Sequence, residues 1–438
     1  MVDYSKKIAI KKIIKLADGS QVSIGGWAEH LVHKGKICFL TVRDASGKIQ
    51  VTGIKTKVSE ELWNSLIGLK NETIVWITGK VKKNEQAPGG IEILPEEVLV
   101  LNQVHGPVPV DITGRTPMDD GTVFAYREMT IRMTKNKLPF EVKTHVAQAT
   151  REFFLKREYV ELFSPLIVAT ATEGGATLFP IKYFEKDAFL AQSGQFYKQA
   201  AVTAHEKVFG IIPSFRMEKS RTRKHVAEFW QIEVEAAFHD HISIMQVLDD
   251  MMVYVVNTTI KTAKEPLKAL GVKPKKLKGG FPRIPFQEAK ELCTGFELEE
   301  KVNFEDDFTS PEEAALSRHF KTPFFITEWP AHTRGIYYRV NDENPAISNS
   351  FDLVAPDGFA ELCTGGQRVH EYDKMVEAIK NQGFNPESYE WYLNLFKYGM
   401  PPHAGYGLGI ERLVWWLCGL SNIRQAIMFP RTPDILKP

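Results

Sequence analysis

Hydrophobic and polar residues alternate in short runs over the first part of the chain. The runs with this period of two are QVSIGGWAEH, KICFLTVRD, IQVTGIK, TIVWITGKVKK and IEILPEEVLVL. Glycine, asparagine, aspartate and proline separate them, which is typical of strands joined by turns. SEELWNSLIGL, between the third and fourth runs, has helical spacing instead. Residues 1–104 are therefore predicted to form a small β-barrel of roughly five strands with one inserted helix.

This order of strands and helix is that of an OB-fold. OB-folds commonly hold single-stranded nucleic acid on a face that carries aromatic side chains. A nucleic-acid partner is therefore predicted for residues 1–104. A sugar-binding or purely structural barrel is the alternative at this point.

The pattern changes in the rest of the chain. Residues 105–135 are rich in proline and glycine and are predicted to form a hinge. FEVKTHVAQATREFFLKREYVEL has helical spacing and is predicted to end before Ser164-Pro165. Further helical stretches alternate with the strand-like runs FFITEW and IYYRV. Because the sequence has no βαβ alternation, GxGxxG or GxxxxGK[ST], residues 136–438 are predicted to be an α+β domain on an antiparallel sheet, not a Rossmann or P-loop domain.

The composition is that of a soluble protein. The chain has 438 residues, more than one hydrophobic core usually organises, so two domains are expected. Hydrophobic residues make up 43% and charged residues 25%, the usual proportions in globular proteins. No run is long and apolar enough to predict a membrane partner. The four cysteines form no CxxC pair, which argues against a zinc site and favours a cytoplasmic location.

Cations, carboxylates and aromatic rings are concentrated in FRMEKSRTRKHVAEFWQIEVE, residues 215–235. We interpret this segment as two strands joined by the loop KSRTRKH, with Arg216 and Glu218 on one face of the first strand. Phe229 and Glu233 share one face of the second strand. Arginine binds phosphate through a bidentate fork, and an aromatic ring can stack on a base. The segment predicts a nucleotide site; an exposed hairpin of balanced charge is the alternative.

The C-terminal segment GYGLGIERLVWWLCGLSNIRQAIMFPR favours the nucleotide site. Gly405, Gly407 and Gly409 occupy alternate positions of a predicted strand and leave one of its faces bare. A flat ligand or another backbone can then approach closely. A helix is predicted to begin near Ile410, which places Arg412 in its first turn.

These two arginine-bearing segments resemble motifs 2 and 3 of the class II aminoacyl-tRNA synthetases. The preceding helix with SPLIVATATEGGATLF, which contains Pro165, resembles motif 1, the dimerisation element of that family. An OB-fold followed by this core is similar to the aspartyl and asparaginyl branch in its compact archaeal form. The resemblance rests on FRxExSxTRxHxxEF and GxGxGxERL, covers nearly the whole chain and implies a homodimer.

The resemblance implies that ATP binds over the antiparallel sheet. Arg216 would hold the α-phosphate, Phe229 would stack under adenine, and Arg412 would cover the other face of adenine and reach the γ-phosphate. Arg216 and Arg412 are thus the catalytic candidates. Asp352 and Glu361 would hold Mg²⁺, which needs only one or two carboxylates besides phosphate oxygens. The complete nucleotide-binding set is Arg216, Glu218, His225, Phe229, Glu361 and Arg412.

The resemblance also implies an amino-acid pocket made of Glu173, Ser193, Gln195, Lys198, Glu233 and Arg368. The first three would receive the α-amino end, with Glu173 on a lid whose hinge is the following pair of glycines. Arg368 would bind the side-chain carbonyl. The substrate carboxylate is itself the nucleophile, so alignment and charge neutralisation replace a general base.

In the barrel, Phe39 and Gln50 have the spacing by which this family stacks on and reads the central anticodon base of tRNA. Arg43 lies between them and completes the predicted anticodon-binding set. A phenylalanine of the barrel core is the alternative for Phe39.

Two residues of the amino-acid pocket indicate different substrates. Glu233 resembles the asparaginyl form, because its carboxylate can accept from an asparagine amide and repels a substrate carboxylate. Lys198 resembles the aspartyl form, in which a lysine meets the substrate carboxylate. Alternatively, Glu233 neutralises Lys198, and the pocket then suits a neutral amide. The nine-residue gap between Asp352 and Glu361 and other local patterns favour asparagine.

The resulting prediction is an ATP-dependent ligase that activates asparagine as its adenylate and transfers it to tRNA(Asn). The first alternative is an aspartyl ligase, either for tRNA(Asp) or for both tRNA(Asp) and tRNA(Asn). The others are an ammonia-dependent asparagine synthetase and a catalytically inactive RNA-binding paralogue.

Overall fold

The computed structural model describes residues 2–169, 178–217, 222–299, 301–304 and 307–438. Within it the chain divides into two compact units, Met1–Asp119 and Asp120–Pro438. In the described ranges, no helix is both long and apolar enough to cross a membrane.

The first unit is a closed barrel with the strand order β1-β2-β3-β5-β4. β3 and β5 pair in parallel, and the other neighbours are antiparallel. The alternating apolar residues, such as Leu40, Val51 and Ile77, fill its interior. The predicted strands and the helix between the third and fourth are confirmed. The elements are α1 Ile10–Ile13, β1 Gln21–Lys34, β2 Ile37–Asp44, β3 Gly47–Ile54, α2 Glu60–Ile67, β4 Ile74–Lys83 and β5 Ile91–Asn102.

The second unit is built on a mainly antiparallel sheet of mixed order. Its helices are α3 Asp120–Ala125, α4 Arg127–Thr130, α5 Thr134–Leu155, α6 Gln195–His205, α7 His241–Thr262, α8 Lys264–Ala269, α9 Phe286–Thr294, α10 Ser310–His319, α11 Tyr372–Asn381, α12 Glu390–Lys397 and α13 Ile410–Leu417. Its strands are β6 Val160–Glu161, β7 Ile167–Val168, β8 Pro180–Tyr183, β9 Lys186–Leu190, β10 Lys207–Phe215, β11 Glu228–Ala237, β12 Arg283–Pro285, β13 Phe324–Thr327, β14 Ser350–Val354, β15 Glu361–Gln367 and β16 His403–Gly409.

The large sheet has the order β12-β13-β14-β15-β16-β11-β10-β6, and β7-β9-β8 form a separate small sheet. Only the β12–β13 and β10–β6 pairs of the large sheet are parallel among the described strands. One face of the sheet is apolar and packs against α5, α7 and α13. Ile232, Val234 and Ala236 of β11 belong to this core. The intervening Gln231, Glu233 and Glu235 therefore lie on the opposite face.

The alternate glycines of β16 provide space for polar side chains of the neighbouring strand. Gly405 pairs with Glu235 and Gly407 pairs with Glu233. A Cβ atom at Gly405 would lie 2.1 Å from Oε2 of Glu235. The bare strand face thus accommodates carboxylates of β11, which places charged groups at the centre of the sheet.

The structure corrects several local predictions. β10 ends at Phe215, so Arg216 follows the strand and does not belong to it. The run IYYRV forms only isolated bridges. The helix predicted from Phe140 starts earlier, at Thr134, and ends at Leu155. Part of the predicted hinge, residues 105–135, is helical and belongs to the second unit.

Candidate active site

A cavity of about 630 Å³ lies over the polar face of the sheet, against β11, β15 and β16. It brings together side chains that are far apart in the sequence. The predicted site residues that line it are Ser193, Gln195, Lys198, Arg216, His225, Phe229, Glu233, Glu361, Arg368 and Arg412. Asp352 is ion-paired with Arg334, which lines the cavity. Glu173 and Glu218 lie outside the described residues.

One end of the cavity combines arginines with an aromatic ring. The guanidinium carbon of Arg216 lies 5.3 Å from the ring centroid of Phe229. Arg412 lies in the first turn of α13, as predicted, and its Nη1 donates to the carbonyl oxygen of Glu361 at 2.8 Å and to Oε1 of Glu361 at 2.9 Å. Nδ1 of His225 lies 2.7 Å from Oγ1 of Thr222. These groups suit a ligand that is planar and carries phosphate.

Two carboxylates border this end of the cavity. Nη2 of Arg334 donates to Oδ2 of Asp352 at 3.0 Å, and Oδ1 of Asp352 is buried without a hydrogen-bond partner among the described residues. Burial raises the pKa of Asp352, and Arg334 opposes this effect; together with the nearby Glu361, which also raises it, the pKa is brought to about 7. Burial acts on Glu361 in the same direction, but Arg412 and the other neighbouring cations lower its pKa.

This donor set fits a hard cation that is completed by phosphate oxygens. Carboxylate oxygens are the ligands Mg²⁺ prefers, and Asp352 has one oxygen to offer. Within the described ranges, no group of three or more His, Cys, Asp or Glu side chains could hold a metal by itself. Asp352 and Glu361 would therefore share the ion with a phosphate-bearing ligand.

The other end of the cavity contains a buried charge cluster made of Lys198, Glu233, Glu235 and Arg368. Nζ of Lys198 lies 2.6 Å from Oε2 of Glu233 and 3.3 Å from Oε2 of Glu235. It also donates to the carbonyl oxygen of Tyr406 at 3.1 Å. Nε of Arg368 donates to Oε1 of Glu235 at 2.9 Å. Two cations thus balance two anions, and all four side chains are almost completely buried.

The opposite charges of the cluster shift the pKa values of its members. Burial alone would raise the pKa of Glu235, but Arg368 and Lys198 hold it below its ordinary value. Burial opposes the charge of Arg368, yet Glu235 raises the pKa of this arginine. Oε1 of Glu233 and Nη1 of Arg368 are buried and have no hydrogen-bond partner among the described residues. An acceptor and a donor are therefore left for a ligand.

Residues 119–433 match the family of tRNA synthetases class II (D, K and N), and residues 22–101 match the OB-fold nucleic acid binding domain. The chain belongs to the class II tRNA synthetases. It is an aminoacyl-tRNA ligase, and the predicted OB-fold followed by a class II core is confirmed.

Relatives of this synthetase carry two kinds of name. An aspartate--tRNA(Asp/Asn) ligase of Methanococcoides burtonii is 38% identical, with 99% of this chain and 98% of the relative covered. An asparagine--tRNA ligase of Pyrococcus horikoshii is 39% identical over 99% of this chain and 100% of the relative. The crystal structure of asparaginyl-tRNA synthetase from Pyrococcus horikoshii complexed with asparaginyl-adenylate superposes with a TM-score of 0.92 at 37% identity and covers 100% of both chains. The family thus supports aminoacyl-tRNA synthesis with asparagine or aspartate.

In the barrel of the synthetase, Phe39 and Gln50 lie on one face of adjacent strands. Phe39 pairs with Thr52, and Gln50 pairs with Thr41. Nε2 of Gln50 donates to Oγ1 of Thr52 at 3.1 Å and to Oε2 of Glu92 at 3.0 Å. Phe39 is half-buried and is not part of the apolar barrel core.

The structure argues against the predicted base contact for Arg43. This side chain is only 8% exposed, and its Nη2 donates to both carboxylate oxygens of Glu72 at 2.8 and 2.9 Å. Its Nε lies 3.3 Å from Oε1 of Glu29. The guanidinium is engaged by carboxylates of the same unit, so we leave Arg43 out of the anticodon contacts proposed below.

Several residues in or beneath the synthetase cavity were not assigned a role from the sequence. Glu235 could have been found, because it lies two positions after Glu233 on the same strand face. Arg334 lies on a loop with no periodic signal, and only the fold brings it to Asp352. Gln199 and His403 lie under the pocket, where their side chains meet at 2.8 Å from 204 positions apart in the sequence.

His403 should make the stability of the synthetase pH-dependent. Burial lowers its pKa to about 4, against the opposing effect of Glu235. The unfolded chain binds this proton below its ordinary pKa of about 6.5, so stability present above pH 6.5 is lost as the pH falls towards 4. We expect a loss of about 3 kcal/mol from this residue. Urea denaturation of the wild type and of His403→Asn between pH 7 and 4 measures this loss. The difference in unfolding free energy between the two proteins should narrow as the pH falls. A difference that stays constant would contradict the prediction.

Proposed function

We propose that the protein activates asparagine with ATP and transfers it to tRNA(Asn). The observation that carries the choice of asparagine over aspartate is the pairing of Lys198 with carboxylates of the chain itself. The ammonium group of Lys198 donates hydrogen bonds to Oε2 of Glu233 and to the carbonyl oxygen of Tyr406. Glu233, Glu235 and the carbonyl oxygen of Tyr406 all lie within 3.3 Å of Nζ of Lys198. Lys198 is thus already ion-paired with two carboxylates of the chain, so it carries no uncompensated positive charge for a substrate carboxylate.

The groups that stay available suit a side-chain amide. Oε1 of Glu233 can accept from the amide nitrogen, and Nη1 of Arg368 can donate to the amide oxygen. An aspartate side chain would instead add a negative charge to a buried cluster that is already neutral. Burying an uncompensated charge is costly, so this arrangement disfavours aspartate.

The proposed reaction needs no general base from the chain. The α-carboxylate of the amino acid attacks the α-phosphate of ATP, and pyrophosphate leaves. Arg216 neutralises charge on the reacting phosphate, while Phe229 and Arg412 hold the adenine between them. Ser193 and Gln195, with Glu173, receive the α-ammonium, and Glu218 and His225 complete the nucleotide contacts. Asp352 and Glu361 would hold Mg²⁺, which supplies Lewis-acid neutralisation of phosphate charge.

The first test is ATP–pyrophosphate exchange with purified asparagine or aspartate. Exchange is expected with asparagine. Glu233→Gln should lower kcat/KM for asparagine by about 10- to 100-fold, because a charge-assisted hydrogen bond is lost. The same change should raise exchange with aspartate, because Lys198 loses its nearest anion. Glu288→Gln, an exposed substitution on α9, is the matched control and should change neither.

Aspartate is the second candidate substrate. Relatives named aspartate--tRNA(Asp/Asn) ligase are as similar to this chain as those named asparagine--tRNA ligase. Wild-type exchange with aspartate alone would overturn the proposal for asparagine. It would mean that Lys198 leaves Glu233 when the substrate binds.

We also propose that Phe39 and Gln50 contact the anticodon of the tRNA. Gln50→Ala should lower kcat/KM for tRNA charging by about tenfold or more, because a base-specific hydrogen bond is lost. Amino-acid-dependent ATP–pyrophosphate exchange should stay within about twofold of wild type, since the cavity of the second unit is unaltered. Aminoacylation with labelled amino acid at varied tRNA concentration measures the effect.

Gln21→Ala is the matched control for this prediction. Gln21 is an exposed barrel glutamine whose amide donates to Glu96 at 2.7 Å, so its loss also removes a hydrogen bond to a carboxylate. Charging kinetics of Gln50→Ala that equal those of the wild type would remove Gln50 from anticodon reading.

We propose that the protein is a homodimer whose second copy covers β6 and the chain that follows it. β6 is at the edge of the large sheet. Exposed apolar residues cluster around it, with Val160 43%, Phe163 84% and Ile167 47% exposed. Pro165 of the motif 1 resemblance lies in this stretch, while residues 170–177 lie outside the described ranges. Exposed apolar clusters of this kind mark protein interfaces.

Phe163→Asp should weaken the dimer, because it places a charge in the apolar contact. We expect the dissociation constant to rise by at least about 100-fold. Sedimentation velocity over a concentration series measures it. Tyr398→Asp, which alters another aromatic residue that is 75% exposed, is the control and should remain dimeric. A wild type that stays monomeric at micromolar concentration contradicts the proposal.

A further inference from the structure

A buried chain of hydrogen bonds runs beneath the proposed amino-acid pocket. Nδ1 of His403 lies 2.8 Å from the carbonyl oxygen of Pro401, and Nε2 of His403 lies 2.8 Å from Nε2 of Gln199. Oε1 of Gln199 accepts from Nε2 of Gln195 at 3.0 Å and from the hydroxyl of Tyr392 at 2.9 Å. The four side chains of this hydrogen-bonded chain are each at least 97% buried. Gln195 alone among them lines the cavity.

The position of one proton fixes the direction of the whole chain. A carbonyl oxygen can only accept, so Nδ1 of His403 must carry the proton that Pro401 receives. Burial lowers the pKa of His403 to about 4, so the ring is neutral near pH 7 and its Nε2 has a free lone pair. Nε2 can then only accept, and Gln199 must turn its amide nitrogen towards His403. The amide oxygen of Gln199 is left for Tyr392 and Gln195.

The orientation of Gln199 in turn fixes the orientation of the Gln195 amide. Because Oε1 of Gln199 is an acceptor, Gln195 must direct its amide nitrogen towards it. Oε1 of Gln195 is then the end of the amide that is available to a ligand. It accepts no hydrogen bond from a described residue in the cavity. The pocket thus offers an acceptor at this position and not a donor.

We infer that His403 and Gln199 are positioning residues that fix the amide of Gln195 with its oxygen towards the α-ammonium group of the amino-acid substrate. This inference rests on the proposed function, in which Gln195 binds that group. With the opposite orientation, Gln195 would present N–H groups to a cation that has only donors. The orientation therefore decides whether this contact is attractive or repulsive.

The test compares the substrate with an analogue that lacks the α-amino group. Gln199→Met removes both ends of the connecting amide at nearly constant volume. We expect the KM for asparagine in ATP–pyrophosphate exchange to rise by about tenfold or more. The KM for ATP should not change. The inhibition constant of succinamate, which is asparagine without its α-amino group, should also stay at the wild-type value, because succinamate has no ammonium for Gln195 to bind.

Two further variants separate positioning from general damage. Tyr392→Phe removes a hydrogen bond to the same oxygen of Gln199 but leaves the His403–Gln199–Gln195 chain intact, so KM for asparagine should stay within about twofold. His403→Asn keeps a donor for Pro401 but has no ring nitrogen to accept from Gln199, and it should raise KM as Gln199→Met does. Thermal unfolding checks that each variant is folded.

The inference is overturned if Gln199→Met raises the inhibition constant of succinamate in step with KM, or if Tyr392→Phe raises KM equally. Either result would mean that the network only supports packing of the pocket. Failure of the proposed function is a separate outcome. If the wild type exchanges with aspartate alone, the same comparison is made with aspartate and succinate, and the positioning role is tested unchanged.

Discussion

The structure of the candidate active site depends on the buried charge cluster of Lys198, Glu233, Glu235 and Arg368. It joins α6, β11 and the end of β15 at the centre of the sheet. Burying four charges is costly, and their mutual attraction offsets this cost only when the geometry is good. Removing one partner of such a pair typically costs about 3–5 kcal/mol, because the other charge is left uncompensated. Each member is therefore constrained by its ion-pair partners in the cluster.

This constraint changes how substrate choice is understood. Lys198 and Glu233 favour different substrates when each residue is considered alone, because a lysine suits a carboxylate and a glutamate suits an amide. Their side chains meet at 2.6 Å across 35 sequence positions, so the pocket presents their combined charge. In the proposed function, specificity then belongs to the cluster and not to one residue, and relatives named for either substrate are about equally similar to this chain.

The parts of the fold that were predictable have local signals. The barrel strands follow from a period of two, and Arg412 follows from glycines that end where α13 begins. Contacts between distant residues have no such signal. Arg43 has the spacing of a base-contacting residue, yet Glu72 and Glu29 engage it inside the barrel. Arg334 lies on an irregular loop, and only the pairing of β14 with its neighbours brings Asp352 within its reach.

The orientation of amide side chains is likewise not predictable from the sequence, because it depends on contacts between distant residues. A sequence identifies Gln50 and Gln195 as candidate recognition residues but does not say whether each presents its oxygen or its nitrogen. In both units the amide nitrogen is held by an internal acceptor, Glu92 for Gln50 and Gln199 for Gln195. The oxygen is then the end left for a partner. A base with an N–H on its edge would suit Gln50 for the same reason that an ammonium group would suit Gln195, because the buried second partner determines which end of each amide is left available.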